Sequence, residues 1–310
     1  MLAASGNAKF TDVIERALYN GINSGMSLDG TTYCYRNPLA FDPAGESRDR
    51  HLVDGKIRNA WYDTTCCPPN LERTFASLSG YFYSTSADGV YVHLYDNSAM
   101  NWHLQDGTAL KVQQKTNYPW DGDVQVTVSP ATPSEFVVYV RIPGWSQKNS
   151  VKVNGLEMKG AKAGEYMAIR RRWEANDRVE LSFDMTTQML RANPAVAEDR
   201  GRVAFQRGPL VFCMEQLDQA EQGSGASLAE YTVHPNGDTA SQFEPELLGG
   251  VMVLTHRATI SEMAPDTPLY FSAATPKAPE KATAVKLIPY YAWANRTPAQ
   301  MQVWIPYKDA

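Results

Sequence analysis

Apolar residues recur at helical spacing near the start of the chain. Phe10, Val13, Ile14, Ala17, Leu18 and Ile22 fall on one face of a helix over 8–22. Asn7 is its N-cap, and Gly21 and Gly25 mark its end. A second helix is predicted from Pro68-Pro69-Asn70, because proline is tolerated in a first turn. Leu71, Phe75, Leu78 and Phe82 supply its stripe, and Gly80 loosens its end. Between the two, 36–65 is irregular, with Asn37-Pro38, Asp42-Pro43, Gly45 and Gly55. A loop of that length is more often functional than idle.

From Gly89 the period changes to two. Strands are predicted at Val90–Tyr95, Leu110–Gln113, Val124–Val128, Phe136–Ile142, Val151–Val153 and Val179–Phe183. Asn154-Gly155 is a hairpin signal, with Tyr166–Arg170 as the expected returning strand. Many short strands with turns between them indicate a β-sandwich. Val203–Phe212 is expected as a strand pair or a bent strand, and the polar stretch 214–245 as a loop or linker. Val251–Thr255, Val285–Tyr290 and Met301–Ile305 are further strands. The expected organisation is a helical piece over 1–85 and two β modules over 86–190 and 191–310. Two or three helices cannot enclose a core by themselves. The helical piece is therefore expected to be the C-terminal end of a larger helical domain.

Composition narrows the classes. Of 310 residues, 43% are hydrophobic and 20% charged, which excludes a disordered or fibrous chain. No window approaches the ~18 apolar residues of a membrane span. The net charge of −5 leaves no electrostatic footprint for nucleic acid or anionic lipid. The chain opens without a secretory signal, and cytoplasm and periplasm both stay open as compartments.

The four cysteines, Cys34, Cys66, Cys67 and Cys213, are too few and too unevenly spaced for a disulfide scaffold. Two of them are adjacent, in Thr65-Cys66-Cys67-Pro68-Pro69-Asn70, just before the second helix. The positive end of a helix dipole favours thiolate, which is both a nucleophile and a zinc ligand. Two buried small residues or a vicinal disulfide are the alternatives. Glu15 lies opposite the apolar face or on its margin, the usual place of a solvated carboxylate. Tyr35 follows Cys34, and in an extended segment the two side chains point to opposite sides. His51, Arg58, Trp61, Tyr62 and Asp63 form a mixture common in sugar and carboxylate sites and also on ordinary surfaces. His93 and His103 fall in or near strands and are expected to be structural. Cys213 follows an apolar strand and is expected to be a buried small residue.

Three segments then stand together: Tyr35-Arg36-Asn37-Pro38-Leu39, Trp61-Tyr62-Asp63-Thr64-Thr65-Cys66-Cys67-Pro68-Pro69-Asn70, and Leu78-Ser79-Gly80-Tyr81. They resemble glycoside hydrolase family 127, the β-L-arabinofuranosidase-like proteins. The resemblance continues through Arg141-Ile142-Pro143-Gly144-Trp145, Gln206-Arg207-Gly208-Pro209-Leu210-Val211 and Ile288–Arg296. It implies a mixed α and β multidomain chain, the C-terminal helices of an (α/α)6 barrel followed by two β-sandwich domains. It implies a zinc ion held by one Glu and three Cys, one of these cysteines being the nucleophile of a retaining mechanism. By motif match Cys66 is that nucleophile and ligand, and Cys67 a second ligand. Glu15 matches a Glu that binds sugar hydroxyls, and Tyr35 a tyrosine of the sugar pocket.

In the family the other two zinc ligands and the acid/base Glu precede the helix that begins here near Asn7. Activity is therefore expected of the full-length protein. Thr64 and Ala40 stand where many members carry Cys and an acidic residue, which bears on the sugar released. The expected substrate is an L-arabinofuranoside or related furanoside of a plant-type oligosaccharide, with a homodimer as the candidate assembly and no nucleic-acid or membrane partner. The competing reading is a non-catalytic carbohydrate-binding or assembly module built from the β-sandwiches.

Overall fold

The computed structural model describes residues 1–44, 57–62, 66–219, 227–261, 268, 270, 272 and 278–308. Strands dominate and helices are few among them. The chain divides into two compact units, Met1–Tyr19 with Pro69–Thr186, and Asn20–Pro68 with Thr187–Ala310. Residues 1–85 thus do not gather into a unit of their own; they divide between the two, each of which is built on a sheet.

The first unit is a β-sandwich. Its larger sheet runs Leu156–Glu157, Asn149–Val153, Asp177–Phe183, Asp123–Pro130, Ala109–Thr116, Ser98–His103. Its smaller sheet runs Glu165–Trp173, Ser134–Ile142, Gly89–Val92, Tyr83–Ser86. Along Ala109–Thr116 exposed and buried residues alternate strictly, which puts Leu110 and Val112 inside with Gln114 and Thr116. Val126, Val138, Val140, Ile169 and Trp173 complete the same core. The Asn154-Gly155 turn forms, both residues at positive φ, but the returning strand is Leu156–Glu157. The segment expected to return, Tyr166–Arg170, lies within Glu165–Trp173, which pairs with Ser134–Ile142 in the other sheet.

His93 sits in this unit, 4% exposed, as the structural residue expected. Its Nδ1 is 2.5 Å from the Tyr166 hydroxyl and its Nε2 2.7 Å from Ser84 Oγ. Burial, helped by the charge of Arg141, pulls its pKa down to about 4. An unfolded chain takes up this proton near pH 6.5 and the folded one only near pH 4. The contribution is therefore intact above pH 6.5 and is lost progressively down to pH 4, on the order of 3 kcal/mol in all. Urea unfolding followed between pH 7 and 4 is expected to show this slope in the parent and a shallower one in His93→Gln.

The opening helix corrects the sequence-based expectation. The α-helix is Ala8–Arg16, and Asn7 caps it by accepting from Lys9 N–H at 3.0 Å. The next six residues widen into a π-turn, Ala17–Ile22. The face it buries is Ala8, Thr11 and Glu15, while Val13 on the apolar stripe is 67% exposed. Pro68–Ser77 is a helix as expected, but only Pro68 in it is buried.

In the second unit ten of the described strands join one hydrogen-bonded sheet, and Tyr33–Cys34 with Arg58–Asn59 form a separate two-stranded pair. Arg202–Arg207 and Leu210–Glu215 form the expected strand pair. The stretch 214–245 is not simply a loop. Tyr231–Val233 and Thr239–Glu244 both pair with Val251–Ser261. Alternation over these short polar strands is too weak to declare them in sequence.

Candidate functional site

A short antiparallel pair, Tyr33–Cys34 with Arg58–Asn59, sets the site in the second unit. Alternation sends Cys34 inward, where it packs with Phe41, Ile57 and Trp293. Burial pushes its thiol pKa up, so Cys34 is a core residue. Tyr35 takes the other side. Its backbone N–H donates to the Tyr62 hydroxyl at 3.3 Å, and the two rings meet at 5.3 Å. Tyr62 is itself buried, with its hydroxyl 2.8 Å from the Tyr33 carbonyl and 2.9 Å from that of Ile57. The chain beyond Tyr35 is tied down by Tyr290, whose hydroxyl reaches Asn37 Oδ1 at 2.9 Å and the Pro38 carbonyl at 2.8 Å. Asn20 performs a similar service, donating to the Pro209 carbonyl and accepting from Val211 N–H.

So held, the Tyr35 hydroxyl lies 3.2 Å from Cys66 Sγ. Cys66 Sγ lies 3.6 Å from Cys67 Sγ. Both cysteines are exposed, with free thiols, and so are not two buried small residues. The hydrogen bond from Tyr35, followed by those from Cys67 and from the backbone N–H groups of Cys66 and Cys67, holds the Cys66 thiol below its ordinary pKa. Sharing a proton with Cys66 pushes Cys67 up and Tyr35 up to about 12. The proton therefore stays on Tyr35, and the negative charge favours Cys66.

The geometry suits a soft metal at two corners. Two thiolates on one tetrahedral zinc, each about 2.3 Å from it, stand about 3.8 Å apart, close to the separation seen. Among the described residues no group of three or more His, Cys, Asp or Glu is gathered for a metal. Cys66 and Cys67 are thus the two candidate ligands here.

Glu15 belongs to the other compact unit. It is 1% exposed, so it is not the solvated carboxylate its place off the apolar stripe suggests. Arg141 pairs with it, and the Tyr118 hydroxyl and Trp145 Nε1 donate to it at 2.6 and 3.0 Å. Arg141 also pairs with Asp12 at 2.7 Å. Gly144 N–H donates to the same carboxylate, and a Cβ on Gly144 would stand 2.6 Å from Asp12 Oδ2. The Arg141–Trp145 segment is therefore a lock between helix and sandwich, a role that spacing in the sequence could not reveal. Both oxygens of Glu15 are thus engaged within this unit.

Trp61 is 73% exposed on the segment leading to the thiols, and Arg58 is buried, donating to the Trp293 carbonyl. His51, Asp63, Thr64 and Thr65 lie outside the described residues. His103 is exposed and Cys213 buried.

The proteins of known family that this chain resembles are glycosidases. The model for the family 127 β-L-arabinofuranosidase catalytic domain matches residues 1–80. Those for its middle and C-terminal domains match 89–185 and 187–306. The chain belongs to glycoside hydrolase family 127. It is 38% identical to the non-reducing end β-L-arabinofuranosidase of Bifidobacterium longum subsp. longum, over 98% of this chain and 46% of that protein. A family 127 β-L-arabinofuranosidase structure from Geobacillus stearothermophilus superposes with a TM-score of 0.91 at 39% identity, over 99% of this chain and 48% of that one. A structure described as a glycoside hydrolase gives 0.88 at 33% identity, over 99% and 50%. The chain spans about half the length of the relatives it matches.

Proposed function

We propose that this chain carries the thiolate side of a retaining glycosidase that releases L-arabinofuranose, or a related furanose, from plant-type oligosaccharides. The convergence of Tyr35, Cys66 and Cys67, with the Cys66 thiol favoured as the anion, carries the reading. The names of its relatives supply the sugar.

In this reading Cys66 Sγ attacks the anomeric carbon as the glycosidic C–O bond breaks. The leaving oxygen takes its proton from a general acid in the remainder of the catalytic domain. Water then attacks the same carbon, giving its proton to the conjugate base of that acid, the C–S bond breaks, and the thiolate is regenerated. Two inversions give retention. Tyr35 donates to the Cys66 sulfur and orients it. Cys66 and Cys67 would hold zinc, which when bound supplies the charge that keeps thiols deprotonated at neutral pH.

The outward apolar stripe supports a larger helical domain of the (α/α)6 type. Val13 is exposed, and Leu71 and Phe75 of Pro68–Ser77 are only half-buried. Further helices packing there would bury them.

Iodoacetamide labelling of this chain near pH 7 tests the thiol assignment. Cys66 is expected to react first, and Tyr35→Phe to slow it by about three- to tenfold through loss of thiolate. In the full-length gene product zinc is expected to protect Cys66 and Cys67, with Cys67→Ser weakening the effect. Equal labelling in Tyr35→Phe and no protection by zinc would overturn the reading.

A further inference from the structure

The β-sandwich of the first unit has an open end. Strand Ser98–His103 is the edge of the larger sheet, and its partners are Ser98↔Gln114, Met100↔Val112 and Trp102↔Leu110. Gln114, Val112 and Leu110 are all buried, so alternation puts Trp102 on the core-facing side. Yet Trp102 is 48% exposed. The core is not closed over it. Instead Trp102 lines a groove of about 480 Å³, together with Asp88, Asp106, Glu135, Phe136 and Arg170. That volume lies within the range of small-ligand sites.

The polar wall is built in advance. Asp88 accepts from Ser86 Oγ at 2.7 Å and from the Tyr139 hydroxyl at 2.9 Å. Arg170 Nη2 donates to it at 3.1 Å, and the Arg170 side chain is otherwise 57% exposed. Asp88 Oδ1, with one donor, has capacity for another, and a guanidinium carries five N–H groups. An indole lining the same groove as a hydrogen-bonded carboxylate and its guanidinium partner suits a cyclic sugar, whose C–H face can pack on the ring while its hydroxyls meet the polar pair. Asp88, Asp106 and Glu135 outnumber Arg170 three to one. That excess disfavours uronates and phosphorylated sugars.

We propose that this groove is an accessory binding site for one or two residues of a neutral oligosaccharide, apart from the thiol site. Only the choice of arabinose as the probe rests on the glycosidase reading.

The test is titration of this chain with a neutral arabino-oligosaccharide and, separately, an oligogalacturonide, read by calorimetry and tryptophan fluorescence. Saturable binding of the neutral sugar alone is expected. Trp102→Ala should weaken it about tenfold or more, Arg170→Ala about threefold, and Trp102→Phe less than about threefold. Circular dichroism checks each fold, and the solvent-exposed Arg170→Ala keeps the test decisive if Trp102→Ala unfolds. Binding is read apart from thiol labelling, so failure of the thiol mechanism leaves this outcome unchanged. No saturable binding of the neutral sugar, equal binding of the oligogalacturonide, or parent-like affinity in both Trp102→Ala and Arg170→Ala would overturn the proposal.

Discussion

Glu15→Ala destabilises the first unit by about 3–5 kcal/mol, the expected cost of leaving Arg141 charged and buried without its main partner. Arg141 has no exposed side-chain surface, and Asp12, partly open to solvent, is its remaining counter-ion. Tyr118 and Trp145 lose an acceptor in the same step. For a unit of this size the melting temperature should fall on the order of 10 °C or more. A double replacement, Glu15→Leu with Arg141→Met, should recover much of the loss, because it removes both charges together. Differential scanning calorimetry of the three variants checks this. A carboxylate that served only a sugar hydroxyl would give the opposite pattern, an unchanged melting temperature with loss of binding.

The second large effect is on turnover. In the full-length gene product Cys66→Ala should lower kcat/KM for an aryl arabinofuranoside roughly a thousandfold or more, as expected when a nucleophile is removed. Tyr35→Phe should cost far less, because it removes one hydrogen bond to the sulfur and leaves the sulfur in place. Steady-state kinetics with intact circular dichroism reads both. Parent-like turnover by Cys66→Ala would remove the nucleophile assignment.

Much of this was legible in the residues, and the exceptions share a cause. Alternation announced the sandwich strands because one face of each is buried, as Ala109–Thr116 illustrates. It also separated Cys34 from Tyr35 correctly, one in the core and one beside Cys66. The family signature picked out the two thiols before their exposure was known. Periodicity failed on the first helix. It identified the apolar stripe but not what covers it, and within this chain the polar side, with Thr11 and Glu15, is the buried one. A buried Glu is unreadable without its partner, and Arg141 lies 126 positions away. Local turn chemistry found the Asn154-Gly155 turn, but which strand pairs beyond it is a long-range choice between two sheets. Pairings in the second unit were hidden for the same reason, since partners such as Phe41 and Met301 lie far apart in the chain.

The most direct test of the central claim is covalent. The full-length gene product, incubated with an electrophilic arabinofuranose analogue that traps glycosyl-enzyme intermediates, would be digested and mapped by mass spectrometry. The account predicts one sugar adduct on the Cys66 sulfur, with none on Cys67 and none in Cys66→Ala. An adduct on a carboxylate, or a stable adduct undiminished in Cys66→Ala, would contradict it.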